Sequence, residues 1–145
     1  MIKMLIQIEA GSCNRNVYNE KTLEYIRTSH GSHPYPFPYG FIVGTTAEDG
    51  GCVDCYLVTK NKVEAGSIVE CEPAGLLEQH EDDEIDHKVL AVLPGEDTRL
   101  DEVVLDELQT FIKRIFSEFP DMNVRVGPVH PRAAALHHLQ ESGSL

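Results

Sequence analysis

No stretch of this 145-residue chain comes near the roughly 20 consecutive apolar residues that a membrane-spanning helix needs. The opening segment, Met1 to Glu9, interrupts its apolar residues with Lys3 and Gln7 and has no small-residue cleavage site. It is read as a first strand and not as a secretory leader, and the expected location is the cytoplasm. Basic residues are scarce, 12 against 24 acidic ones, for a formal net charge of -12. Such a surface repels nucleic-acid backbone and anionic lipid and favours cations, so neither nucleic acid nor membrane is an expected partner. Several catalytic signatures are also missing. There is no G-x-x-x-x-G-K-[ST] phosphate loop, no G-x-G-x-x-G and no G-x-S-x-G nucleophile elbow. No His pair stands at i, i+4 with a Glu in the zinc-protease manner. Internal repeats, low-complexity segments and linkers are absent too, and residues 1–145 read as a single domain.

Cysteine is limited to Cys13, Cys52, Cys55 and Cys71. Cys52-Val-Asp-Cys55 is formally C-x-x-C, but it has no second pair for zinc and opens no helix for redox chemistry. It runs into Tyr-Leu-Val, an extended pattern that sends positions 52 and 55 to opposite faces, which predicts packed, reduced thiols.

What the chain does contain is a hydrophobic fraction of 41%, enough for a packed core. Residues 2–8 alternate, with Ile2, Met4, Ile6 and Ile8 on one face. Short strands are expected from the Gly11–Asn14 turn to about Arg27, then at 39–43, 53–58, 67–72 and 88–92, with an ordered Pro-rich loop at 31–38. Their spacing points to a small barrel and not to βαβ units. Leu100, Val104, Leu108, Phe111, Ile112, Ile115 and Phe119 recur at helical spacing, predicting a helix over 99–119. Thr98 and Asp101 resemble a capping box and Pro120 ends the run. A second helix is expected over 131–141, with His137 and His138 exposed and a frayed tail at 142–145.

Two acidic clusters could carry chemistry: Glu48-Asp49-Gly50-Gly51 with Asp54, and Glu81 to Asp86 followed by Lys88. Mg2+ is held by one or two carboxylates together with waters and substrate phosphates. If the fold joins the clusters, they suit metal-assisted phosphoryl transfer; if it does not, they are two solvated turns.

Read in order, Ile6-Gln-Ile8, Gly11-Ser12, Arg27, Tyr35-Pro36, Tyr39-Gly-Phe-Ile42, Gly44-Thr45, Glu48-Asp-Gly50, Asp54, Pro73-x-Gly75-Leu-Leu77, Asp86-x-Lys88 and Ala91-Val92 resemble the soluble, Mg2+-dependent inorganic pyrophosphatases of bacteria and archaea. The resemblance implies an α+β fold: a small, five-stranded, mainly antiparallel β-barrel over residues 2–95 with flanking helices. It implies Mg2+, with Mn2+ as an alternative, held by Asp49, Asp54 and Asp86, with Glu81 and Asp82 on the loop that completes further metal sites. Arg27, Tyr39 and Lys88 match residues that grip phosphate during catalysis, and Arg15 stands where a phosphate-binding Lys is usual. The implied substrate is pyrophosphate or another small phosphorylated compound, and a homo-oligomer is the implied assembly.

The chain lacks functional side chains of the family at five positions. The family's Asp-x-Asp-x-x-Asp reads Asp49-Gly-Gly51-Cys-Val-Asp54, so the carboxylate that accepts the proton of the attacking water is replaced by Gly51. Gln7 and Val17 replace two further carboxylates, and Ile115-Phe116 replace a Tyr-Lys pair that contacts phosphate. Two functions follow from the same residues. One is a Mg2+-dependent phosphoanhydride hydrolase with weak or substrate-shifted activity. The other is a non-catalytic paralogue that binds metal or phosphate or serves as a partner subunit.

Overall fold

The computed structural model describes residues 1–143. Strands β1 (Ile2–Ile8), β4 (Tyr39–Ile42), β5 (Asp54–Leu57), β6 (Ile68–Glu81) and β8 (Lys88–Val92) pair in a closed circuit, β1-β4-β5-β8-β6 and back to β1. Every pairing is antiparallel except β5–β8, which is parallel. Around this barrel-like sheet stand the hairpin of β2 (Asn14–Tyr18) and β3 (Tyr25–His30), the short β7 (Glu84–Ile85), and β9 (Val124–Pro131), which pairs with β6. Helix α1 (Glu102–Phe116) precedes β9, and α2 (Arg132–Glu141) follows it. Among the described residues no helix is long and apolar enough to cross a membrane.

The strands are covered on both faces, which explains why Lys88-Val-Leu-Ala-Val92 is a near-continuous apolar run. Met4, Ile6, Cys55, Leu57, Val89 and Ala91 pack with Ala135 and Leu139 of α2. Tyr56, Leu77 and Leu90 pack with Leu108, Phe111 and Ile112 of α1. Leu5, Phe41 and Cys52 form a third cluster, with Tyr18 and Leu23 of the hairpin against it. Cys52 and Cys55 thus lie in different clusters, and all four cysteines are free. Gly40 makes the β1–β4 pairing possible, because a Cβ there would collide with the Leu5 carbonyl oxygen.

Several expectations need correction. Strand β6 does not stop at residue 72 but continues through Pro73 to Glu81. A bulge between Pro73 and Gly75 absorbs the proline's missing donor, the usual place for proline in a strand. β9 was not expected, since Gly127, Pro128 and Pro131 punctuate it. Helix α1 is capped by Asp101 alone: its extended backbone turns the side chain to accept from the Val104 N–H at 3.1 Å, and Thr98 lies outside the helix. The helix ends at Ser117, before Pro120. Ser142 does not fray. It is buried, its hydroxyl donates to the His138 carbonyl at 2.8 Å, and its carbonyl accepts from Thr46 N at 2.9 Å. Gly143 follows, its N–H donating to the Gln140 carbonyl at 3.1 Å, and residues 144–145 of the expected frayed tail lie outside the described residues. His138 is half-buried, its ring 6.0 Å from that of His87, whereas His137 is exposed.

Candidate active site

The parallel β5–β8 pair sets Asp54, at the start of β5, beside Lys88, at the start of β8, and the β7–β8 turn brings Asp86 to the same point. Lys88 Nζ donates to Asp54 Oδ2 at 2.7 Å, to Asp86 Oδ2 at 2.9 Å and to the Tyr39 hydroxyl at 3.3 Å. Only 5% of Lys88 is exposed. Burial alone would lower its pKa, but Tyr39, Asp54 and Asp86 outweigh it and hold the ammonium well above the ordinary lysine value. Burial raises Asp54, with Lys88 drawing it back, and burial raises the Tyr39 phenol strongly. Glu81 is pushed up to about 8, first by burial and then by its hydrogen bond with Asp86. Asp86 is the reverse case. Burial acts against its charge, but the bonds from Glu81 and Lys88 win and its pKa is lowered.

These groups line a cavity of about 260 Å3 together with Arg15, Tyr35, Tyr56 and Gln79. Two of its polar atoms, Arg15 Nε and Gln79 Oε1, are buried without a hydrogen-bond partner. Its remaining wall is apolar: Ile112, Ile115 and Phe116 of α1, with Phe119 just beyond.

On the other side of Asp54 and Asp86 a narrow cleft of about 10 Å3 is lined by both aspartates and by Glu48, Asp49, His87 and His138. Asp49 Oδ1 accepts from Gly51 N at 2.9 Å. Glu20, from the β2–β3 turn, reaches the same loop, where its Oε1 accepts from Cys52 N at 3.2 Å. Partial burial of its carboxyl group raises the Glu20 pKa, with Asp54 and Asp49 adding to the rise and the Cys52 N–H opposing it.

The two acidic clusters read from the sequence therefore meet, and Lys88, Tyr39, Arg15 and Glu81 stand with Asp54 and Asp86. Asp82 does not line the cavity; it is exposed, and its Oδ1 accepts from Asn123 N at 3.0 Å. Arg27 is exposed on β3 opposite Val17, on the hairpin face it shares with Arg15. Gln7 and Asn16 tie β1 to the hairpin by reciprocal bonds of 3.3 and 2.7 Å, a structural use for one position where the resemblance places a carboxylate. Gln79 and Glu20 were invisible in the sequence: one lies on the unexpected part of β6, the other in a turn with no motif. Among the described residues no three His, Cys, Asp or Glu side chains form a ready-made metal cage. The donor set nevertheless fits Mg2+, which takes one or two carboxylates and completes its shell with water and phosphate, and Asp54 and Asp86 already converge on one positive group.

The sequence profile described as "Pyrophosphatase: Inorganic pyrophosphatase" matches residues 4–142. An inorganic pyrophosphatase of Aquifex pyrophilus is 39% identical over 88 residues, 59% of this chain and 49% of that protein. One of Sulfolobus acidocaldarius is 33% identical over 94 residues, 63% of this chain and 54% of that protein. In both, the match takes in about half of the relative's length. A solved inorganic pyrophosphatase from Thermus thermophilus superposes with a TM-score of 0.84 at 28% identity, covering 97% of this chain and 87% of that one.

Proposed function

The chain belongs to the inorganic pyrophosphatase family, and from that premise we propose that it is a divalent-cation-dependent hydrolase of phosphoanhydrides, weak on pyrophosphate itself or shifted toward a phosphorylated compound with an organic group. The observation that carries this reading is the cavity in which buried Lys88 and half-buried Tyr39 stand with Asp54 and Asp86, with Arg15 in its lining. Asp54 and Asp86, with Asp49 across the cleft, would hold Mg2+ or Mn2+, and Glu81 and Asp82 would serve further cations. When bound, the cation supplies Lewis-acid polarisation of a phosphoryl oxygen and neutralises charge.

The chain's own residues do the rest. Lys88, a compact ammonium gathered with Asp54 and Asp86, would donate to a phosphate oxygen. Arg15 presents a planar fork to a second oxygen, and Arg27, on the same hairpin face, adds charge beside it. Tyr39, kept protonated by burial, acts as a donor. The α1 wall excludes water from the developing charge, which strengthens each of these interactions. That wall offers inorganic pyrophosphate no polar contact and an organic group an apolar surface.

Gly51, Ile115 and Phe116 favour the second reading, a protein that binds metal or phosphate without turnover. Phosphate release from pyrophosphate and from a panel of nucleotides, with Mg2+ or Mn2+, separates the two. Turnover of any panel member, lost in Lys88→Met, supports the hydrolase. Cation-dependent binding of pyrophosphate with no phosphate released from any member sinks it.

A further inference from the structure

Gly51 does not need to be glycine for its backbone. Its neighbour Gly50 lies at φ +88°, in the left-handed region, whereas Gly51 does not. The space in front of Gly51 is what is special. A Cβ there would lie 3.3 Å from Glu20 Oε2 and 3.5 Å from Asp49 Oδ1. The place that an acidic side chain at 51 would fill thus already holds a carboxylate oxygen, delivered from another element.

That delivery is fixed. Asn19 Oδ1 accepts from the N–H groups of Lys21 and Thr22, both at 2.9 Å, and Leu23 closes the turn on the Asn19 carbonyl at 2.7 Å. Glu20 rides on this turn. Its Oε1 accepts from Cys52 N at 3.2 Å, and its carbonyl meets Cys52 Sγ at 3.9 Å, so the hairpin is latched to the loop that carries Asp49 and Asp54. With Oε1 engaged, Oε2 is the oxygen nearer the space in front of Gly51. A glutamate suits the task because the carboxylate must bridge from one hairpin to the next.

We propose that Glu20 supplies the carboxylate that Gly51 lacks and accepts the proton of the attacking water. This rests on the hydrolase reading above. In the step, the water oxygen forms a bond to phosphorus and its proton passes to the Glu20 carboxylate. The bridging P–O bond breaks, and its electron pair stays on the departing phosphate. Gly51 is then the complement of Glu20, kept small so that a carboxylate from the neighbouring turn can occupy its place.

The test is an exchange of carboxylates in the full-length protein, using Glu20→Gln, Gly51→Asp and the double variant. Turnover is measured with Mg2+ on whichever of pyrophosphate and the nucleotide panel the wild type hydrolyses fastest, and Mn2+ affinity by calorimetry. Glutamine keeps an oxygen for the Cys52 N–H, so the fold and the latch survive, and the melting temperature checks this. Glu20→Gln is expected to lower turnover about 10²-fold, as loss of a positioned base does, and to weaken Mn2+ binding about tenfold. Gly51→Asp alone is expected to give no gain, because a carboxylate already stands there and repels a second one. In the Glu20→Gln background the same change should recover about tenfold of the loss, because catalytic groups that replace one another are non-additive. Wild-type turnover and Mn2+ affinity in Glu20→Gln would reduce Glu20 to a latch and overturn the proposal. So would an equal gain from Gly51→Asp in both backgrounds. A wild type that hydrolyses nothing overturns the hydrolase reading and this role with it, and the Mn2+ titration then shows whether the site binds a cation at all.

Discussion

An ammonium buried between two carboxylates holds a site together only while all three are charged. Removing Lys88 leaves Asp54 and Asp86 facing each other without a cation, and stranded charges of this kind cost about 3–5 kcal/mol when fully buried. Both aspartates keep some exposure, 25% and 21% of their side chains, so Lys88→Met is expected near the lower end of that range in urea denaturation. Mg2+ should then stabilise the variant more than the wild type, because it replaces the missing charge. Equal Mg2+ stabilisation of the two proteins would show that the cation does not enter between the aspartates. Glu81 gives the site a pH signature. Its folded pKa of about 8 lies above the ordinary carboxyl value of 4.5, so the folded state holds the extra proton between these limits. The stability linked to Glu81 is therefore fully present below about pH 4.5 and lost as pH rises through 8. In chelator, denaturation at pH 5, 7 and 9 should show this decline in the wild type and a flatter profile in Glu81→Gln; parallel profiles would refute it.

At the level of elements, the segments whose pattern states their environment were legible. Residues 2–8 largely alternate because Ile2, Met4 and Ile6 face one core cluster, with Leu5 alone packed into another on the opposite face, and 88–92 are apolar throughout because β8 is covered twice. The apolar stripe of α1 marked its buried face, Leu108, Phe111 and Ile112. Elements whose local residues argue against them were missed. β9 contains Gly127, Pro128 and Pro131 and exists because β6 offers it an edge, and β6 passes Pro73 because a bulge releases it from the ladder. The site divides along the same line. Asp54, Asp86 and Lys88 were readable as a motif, whereas Glu20 and Gln79 depend on which hairpin and which strand edge meet them, information no single segment contains. The helix start is open to a direct check. Asp101→Ala should cost about 1 kcal/mol, the usual value of an N-cap, and Thr98→Ala close to none. The opposite ranking in thermal denaturation would restore Thr98 as the cap.

For the whole molecule, a formal net charge of -12 means that folding gathers like charges. Monovalent salt should raise the melting temperature gradually by screening, whereas Mg2+ or Mn2+ should add a saturable rise on top of it, as linkage to a discrete site requires. That separates a general acidic surface from a place built for a cation, and the place rests on Asp54 and Asp86. The most direct measurement is a calorimetric titration of Mn2+ into the wild type and into Asp54→Ala at constant ionic strength. A cation held by Asp54 and Asp86 requires saturable binding in the wild type and its loss in the variant. No binding in the wild type, or binding unchanged in Asp54→Ala, would contradict it and leave the acidic clusters as solvated turns.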